Sequence, residues 1–163
     1  MFKNRFEHLR DSALWWHDKS SDLHASAGVL WLSMDDKYKN EFIEKLELGK
    51  GFDLGVCFQN YCLLFGLSFE VLLKAIISVK GFSNIPATHD LKKLYTLSMI
   101  KLDSEEVNVL DALSGYIVWA GKYQVPKNES EFNKFHEKIE NVFFDKVKFN
   151  NSYLYRQNNK LEW

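Results

Sequence analysis

Few side chains in this sequence can hold or move charge within an apolar setting, and their spacings are readable. Glu70 and Lys74 stand four apart inside residues 54–81, LGVCFQNYCLLFGLSFEVLLKAIISVKG, the most apolar stretch of the chain. On a helix that spacing sets a carboxylate beside an ammonium. Exposed, the pair adds roughly 0.2 to 0.5 kcal/mol. In a cleft or a dimer seam it would fix register or meet a ligand. His89 and Asp90 open THDLKKLY. They read first as a helix start with Asp90 beside the positive end of the dipole, and second as an imidazole acid or base whose partner the sequence does not place. Lys122 and Tyr123 follow an aromatic-rich segment in WAGKYQVP. They suit a phosphate contact and a stacked base, or a lysine on a helix dipole with a core tyrosine. His136 is a further acid–base candidate.

Other chemistries are absent from the pattern. His17 and His24 lie seven apart, about 10 Å along a helix, too far to share one metal ion. No phosphate-binding glycine loop, nucleophile elbow or dinucleotide fingerprint occurs. Neither a metal nor a cofactor is expected. With 21 basic and 22 acidic residues the formal charge is −1, which argues against a general electrostatic grip on nucleic acid and leaves room for a local basic patch. Cys57 and Cys62, five apart on the expected central helix, face different directions and read as small buried hydrophobes of a reducing compartment.

The elements that must position these groups are helical. Two prolines and eight glycines in 163 residues favour long helices in one domain of a size that buries a core. Phe6, Leu9, Ala13, Trp16, Leu23, Ala27, Leu30 and Met34, with Ser20 completing the 3,4 alternation, predict a long first helix with a narrow seam. Arg10, His17 and His24 share another side of it. Asp35 and Asp36 end the pattern and cap a shorter helix, Lys37 to Leu48, that stops at Gly49. The central helix runs from Leu54 to Gly81, a left-handed cap position, with Gln59, Gly66, Glu70, Lys74 and Ser78 in one polar stripe. Thr88 is the expected cap of a short helix with Leu91, Leu94 and Tyr95 inward.

Asp103 and Glu106 form a capping-box pattern ahead of Val107, Leu110, Leu113 or Ser114, Ile117 and Ala120, and Gly121 stops that helix. Asn128 with Glu131, or Ser130, starts a last helix that turns Phe132, Phe135, Ile139, Val142, Phe143 and Val147 inward. Residues 150–163 read as an extension or a frayed tail. The fold expected is an all-α, up-and-down bundle of four to six helices. Aromatics at 15% exceed what such a core needs, which points to an interface. The first twelve residues have no continuous apolar run and Glu70 and Lys74 interrupt the central segment, so neither a leader nor a membrane span is expected and the location is cytoplasmic.

GLSFEVLLKAIISVKG, THDLKKLY and WAGKYQVP together resemble the HEPN superfamily, over roughly Leu54 to Pro126. The resemblance implies a small bacterial helical bundle, a homodimer, of toxin–antitoxin, phage-defence or RNA-related systems. It brings with it RNA or nucleotide, or a cognate toxin, antitoxin or nucleotidyltransferase, as partner. Nuclease members of that superfamily carry an Arg, four to six residues, then a His near the last helices, where an imidazole deprotonates a ribose hydroxyl and a guanidinium steadies the phosphorane. This chain departs from that pattern. After Lys101 its one arginine is Arg156, with no histidine behind it, and His136 lies fourteen residues beyond Lys122. Arg10 and His17 match the spacing on the wrong helix. Three readings follow: a binding domain without the nuclease site, an atypical metal-independent endoribonuclease using Lys122 with His89 or His136, and an immunity or antitoxin protein acting through an aromatic surface. Glu70, Lys74, Lys122 and Tyr123 are the expected ligand- or partner-binding residues.

Overall fold

A computed structural model describes residues 9, 12–81, 85–149 and 152–157. Among them the chain forms six helices: α1 (Ala13–Met34), α2 (Lys39–Lys45), α3 (Phe58–Val79), α4 (Leu91–Ser98), α5 (Ser104–Gly115) and α6 (Glu129–Phe143). A 3₁₀ turn, Leu54–Cys57, leads into α3, and a π turn, Tyr116–Ala120, prolongs α5. Strands β1 (Phe144–Phe149) and β2 (Ser152–Gln157) follow α6 as one antiparallel hairpin. The architecture is the expected all-α bundle with this hairpin at its end.

Helix α3 is central because it is apolar on most of its circumference, and α1, α4, α5 and the π turn pack around it. By length and composition, Leu54–Val79 passes as a membrane span, with mean hydropathy 2.0. Of its residues, Tyr61, Cys62, Gly66, Leu73, Ala75 and Ile77 are among those buried against neighbouring elements. The α1 seam meets it as the 3,4 spacing predicts: Ala27 is fully buried, Leu30 and Met34 pack on the core, and the Ser20 hydroxyl donates to the Ser68 carbonyl at 2.9 Å. An aromatic ladder runs along the contact, Trp31 to Tyr61 at 5.2 Å, Tyr61 stacked on Phe65 at 5.4 Å, and Phe65 edge-on to Phe69 at 4.9 Å between centroids. Part of the aromatic surplus is therefore spent inside the bundle.

Several ends of helices follow from single residues. Gly81 adopts φ +81° just past α3, the left-handed stop its type allows. The capping box at α5 is complete: Asp103 accepts from the Glu106 amide and the Glu106 carboxylate accepts from the Asp103 amide, both at 2.8 Å. Asn128 caps α6 by accepting from the Glu131 amide at 2.9 Å.

Other boundaries differ from the sequence reading. Helix α2 is shorter, Lys39–Lys45, and the left-handed residue behind it is Glu47 at φ +54° rather than Gly49. Asp90, not Thr88, caps α4, accepting from the Lys93 amide at 2.9 Å, while Thr88 takes the Asp90 amide at 3.1 Å. Helix α6 ends at Phe143, so Val147 is a strand residue and not part of an inward helical face. Segments rich in Val, Phe, Tyr and Leu suit a pleated ribbon, and Phe144 to Phe149 pairs in register from Gln157 back to Ser152. The expected start of the first helix, including Phe6 and Arg10, and the tail beyond 157 lie outside the described residues.

Cys62 is buried and Cys57 half-buried, both as free thiols. Burial pushes the Cys62 thiol well above its ordinary 9.0, and also raises the Tyr61 and Tyr116 phenols above 10.0. The folded state thus holds these protons where the unfolded chain gives them up. Their contribution is whole below about pH 9 and falls as pH rises beyond it, by about 1.4 kcal/mol per pH unit for each group. A urea midpoint that stays level from neutral pH to about pH 8 and then drops steeply is the expected titration. Native Cys62 should likewise resist iodoacetamide until the protein is unfolded.

Candidate functional site

The charged pair of α3 is interior. Glu70 is 5% exposed and Lys74 8%. Lys74 Nζ donates to Glu70 Oε1 at 2.6 Å, so the four-residue spacing has the expected consequence in a desolvated place. The second carboxylate oxygen, Oε2, takes His89 Nδ1 at 2.7 Å. Because an ionised carboxylate only accepts, Nδ1 carries the proton. The ring nitrogen Nε2 is turned away from Glu70, and the His89 side chain is 58% exposed. A buried anion, a buried cation and a half-exposed imidazole thus form one unit.

The segment leading into α4 is built to hold that imidazole in place. Asp90 caps α4, Leu91 and Leu94 are fully buried in the core, and the Leu91 amide donates to Ser114 Oγ on α5 at 3.0 Å. Each residue type in His-Asp-Leu-x-x-Leu therefore has its own work: hydrogen bond to α3, cap, and two anchors. Lys92 and Lys93 occupy the exposed first turn of α4, close in sequence to His89. Chemically, the unit presents a fixed imidazole whose exposed Nε2 accepts, which suits a ligand hydroxyl or N–H donor.

The chain matches no family model, no curated protein and no solved structure.

The remaining candidates stand apart from this unit. Lys122 is exposed, its amide donating to the Trp119 carbonyl at 2.8 Å in the turn that closes the π segment. Tyr123 is 66% exposed. The core role weighed for it is therefore excluded, because the chain leaves the bundle at Gly121. His136 is exposed on α6, its ring 4.2 Å from Phe132 and 5.8 Å from Phe135 between centroids. Among the described residues no hydrogen bond or ion pair joins Lys122, His89 and His136 within one chain. His17 meets Asp18 at 3.5 Å on the exposed side of α1, and no group of three metal-ligating side chains occurs among the described residues.

Sequence reasoning found Glu70, Lys74 and His89 separately and missed that they form one unit. The signal was slight. Glu70 sits on an apolar helix with two oxygens to satisfy and a single cation at helical spacing, so a second donor had to come from elsewhere. Which donor supplies it is decided by where α4 docks.

Proposed function

We propose that this chain is a HEPN-like helical domain that binds RNA or a nucleotide without cutting it, in a bacterial toxin–antitoxin, phage-defence or other RNA-related system. The observation that carries the reading is the His89 imidazole, fixed by a buried carboxylate and exposed, with the exposed Lys92 and Lys93 three and four residues on. A ribose hydroxyl or a base N–H would donate to His89 Nε2, and the exposed Lys92 and Lys93 of the same segment would meet phosphate. The small net charge fits a local contact of this kind rather than a broad basic face. A cytoplasmic homodimer, encoded near a nucleotidyltransferase or a cognate toxin or antitoxin, is the setting in which such a domain would act. The departure from Arg-x(4–6)-His, together with the separation of Lys122 and His136 from His89, favours binding over cleavage.

Fluorescence anisotropy with a labelled single-stranded RNA tests this. Two lysine–phosphate contacts weaken binding by roughly sevenfold between about 50 and about 200 mM salt, and Lys92→Ala with Lys93→Ala lowers the salt slope by about 1.4. Failure to bind at low salt, or a double variant that binds as the wild type does, rejects the reading. Metal-independent cleavage of the RNA by the wild type would replace it with the atypical endoribonuclease.

A second reading, an immunity or antitoxin protein, draws on one observation. Val118, Tyr123 and Val125 expose large apolar side chains around the end of the π turn, at 53%, 66% and 65%. Aromatic and apolar groups of this kind form the centres of protein contacts. Copurification of a toxin that is lost on Tyr123→Ala would favour it.

A further inference from the structure

His89 is held in a way that His17 and His136 are not. Its Nδ1 donates to Glu70 Oε2 at 2.7 Å, and Glu70, 5% exposed, has Lys74 Nζ on its other oxygen at 2.6 Å. The backbone behind the ring is fixed as well. Asp90 caps α4, and Leu91 is fully buried with its amide on Ser114 Oγ. His17, by contrast, meets an exposed Asp18 at 3.5 Å, and His136 lies on α6 against Phe132.

With the Nδ1 proton committed to a buried carboxylate, the ring's lone pair lies on Nε2, on a side chain that is 58% exposed. A reagent in solution can therefore reach it. A carboxylate behind an imidazole fixes the ring's orientation and makes the opposite nitrogen a stronger electron donor. It also steadies the positive charge that the ring gains once Nε2 has formed a bond, and does so more strongly where the carboxylate is desolvated. A nucleophile, a group that orients it and a third that holds the second in place make an activated side chain. Here these are His89, Glu70 and Lys74.

We propose that His89 Nε2 is a phosphoryl acceptor for a donor of the phosphoramidate class. The Nε2 lone pair attacks phosphorus and an N–P bond forms, while the donor's own P–N bond breaks and its electron pair leaves on the protonated donor nitrogen as a neutral amine. The ring becomes an imidazolium. Its Nδ1–H stays on Glu70, and the phosphoryl oxygens offset its charge. A phosphoryl group suits this place better than an acyl group, because it brings anionic oxygens to the cationic ring and to the exposed Lys92 and Lys93 of the same segment. The step uses the same lone pair as the binding site proposed above and does not depend on RNA being its ligand.

Incubating the full chain, with ¹⁵N-labelled histidines, with potassium phosphoramidate and no RNA tests this. Long-range ¹H–¹⁵N spectra report each imidazole and the nitrogen that takes the phosphoryl group. His89 is expected to react about tenfold faster than His17 and His136, at Nε2 alone. Glu70→Gln with Lys74→Met removes both buried charges together, so no ammonium is left unpaired. That double variant should slow His89 about tenfold and leave His17 and His136 unchanged. If it does not fold, the wild-type ratio and the nitrogen modified decide by themselves. Equal rates at the three histidines, phosphorylation at Nδ1 of His89, or a folded double variant that reacts as the wild type does would each overturn the proposal.

Discussion

Glu70→Leu is expected to destabilise the fold by about 3 to 5 kcal/mol, the cost of leaving a buried ammonium without its counter-charge. Lys74 sits 8% exposed with its Nζ on Glu70, and the leucine gives it nothing to donate to. The same change frees His89, which loses its Nδ1 acceptor and with it the tie between α4 and α3. Removing both charges, Glu70→Leu with Lys74→Met, should recover most of the loss, since apolar residues of similar volume often replace a buried pair at little cost. His89→Ala should cost less than about 1 kcal/mol because its ring is more than half exposed, yet it should weaken any ligand that uses Nε2. Urea unfolding of the four proteins provides the check. If Glu70→Leu loses less than about 1 kcal/mol, the pair is solvated and its interior placement is wrong.

Gly121→Ala is the second large effect. A Cβ there would lie 2.6 Å from Leu63 Cβ and 2.9 Å from the Tyr116 carbonyl oxygen, which is the acceptor of Gly121's own amide. Both atoms belong to or adjoin backbone and have little room to give. The methyl group must therefore push the π turn away from α3, an overpacking change of about 1–3 kcal/mol that lowers Tm by roughly 2–12 °C. Gly66→Ala should be milder, because its Cβ would meet the Ile117 side chain at 3.0 Å and the Leu113 carbonyl at 3.3 Å. Differential scanning calorimetry of both variants ranks them. A reversed order would mean that the π turn yields more readily than the α3–α5 contact.

These two glycines show how far local pattern reaches. The sequence places Gly121 at a stop, which holds, and Gly66 in a polar stripe, where the structure brings Ile117 and the Leu113 carbonyl close to it. The stop, however, has no left-handed backbone: Gly121 has φ −81° and is needed for space rather than for conformation. At Gly81 the opposite is true, with φ +81° and nothing within 4 Å of a Cβ. One residue type serves two purposes that a single chain of letters does not separate.

What the sequence determined by itself is whatever depends on neighbours within a turn or two. The helical pattern of α1, α3, α5 and α6, the capping box at Asp103, the Asn128 cap, the Glu70–Lys74 pair and the inward set Leu91, Leu94, Leu110, Ile117, Ile139 and Val142 are all local in this sense, because hydrogen bonds and side-chain neighbours in a helix lie three or four residues apart. The hairpin after Phe143 was not legible as a helix end, since no glycine or proline marks it. Tertiary structure alone decided what joins distant segments: His89 on the carboxylate of Glu70, nineteen residues away, the amide of Leu91 on Ser114, and the gathering of Asp35, Asp36 and Asp53 around Trp31, Phe58 and Phe144. The reason is that each of these groups has several chemically acceptable partners in the chain. Only the docking of α4 on α3, and of the 3₁₀ turn beside the end of α1, brings one of them within hydrogen-bonding or contact distance.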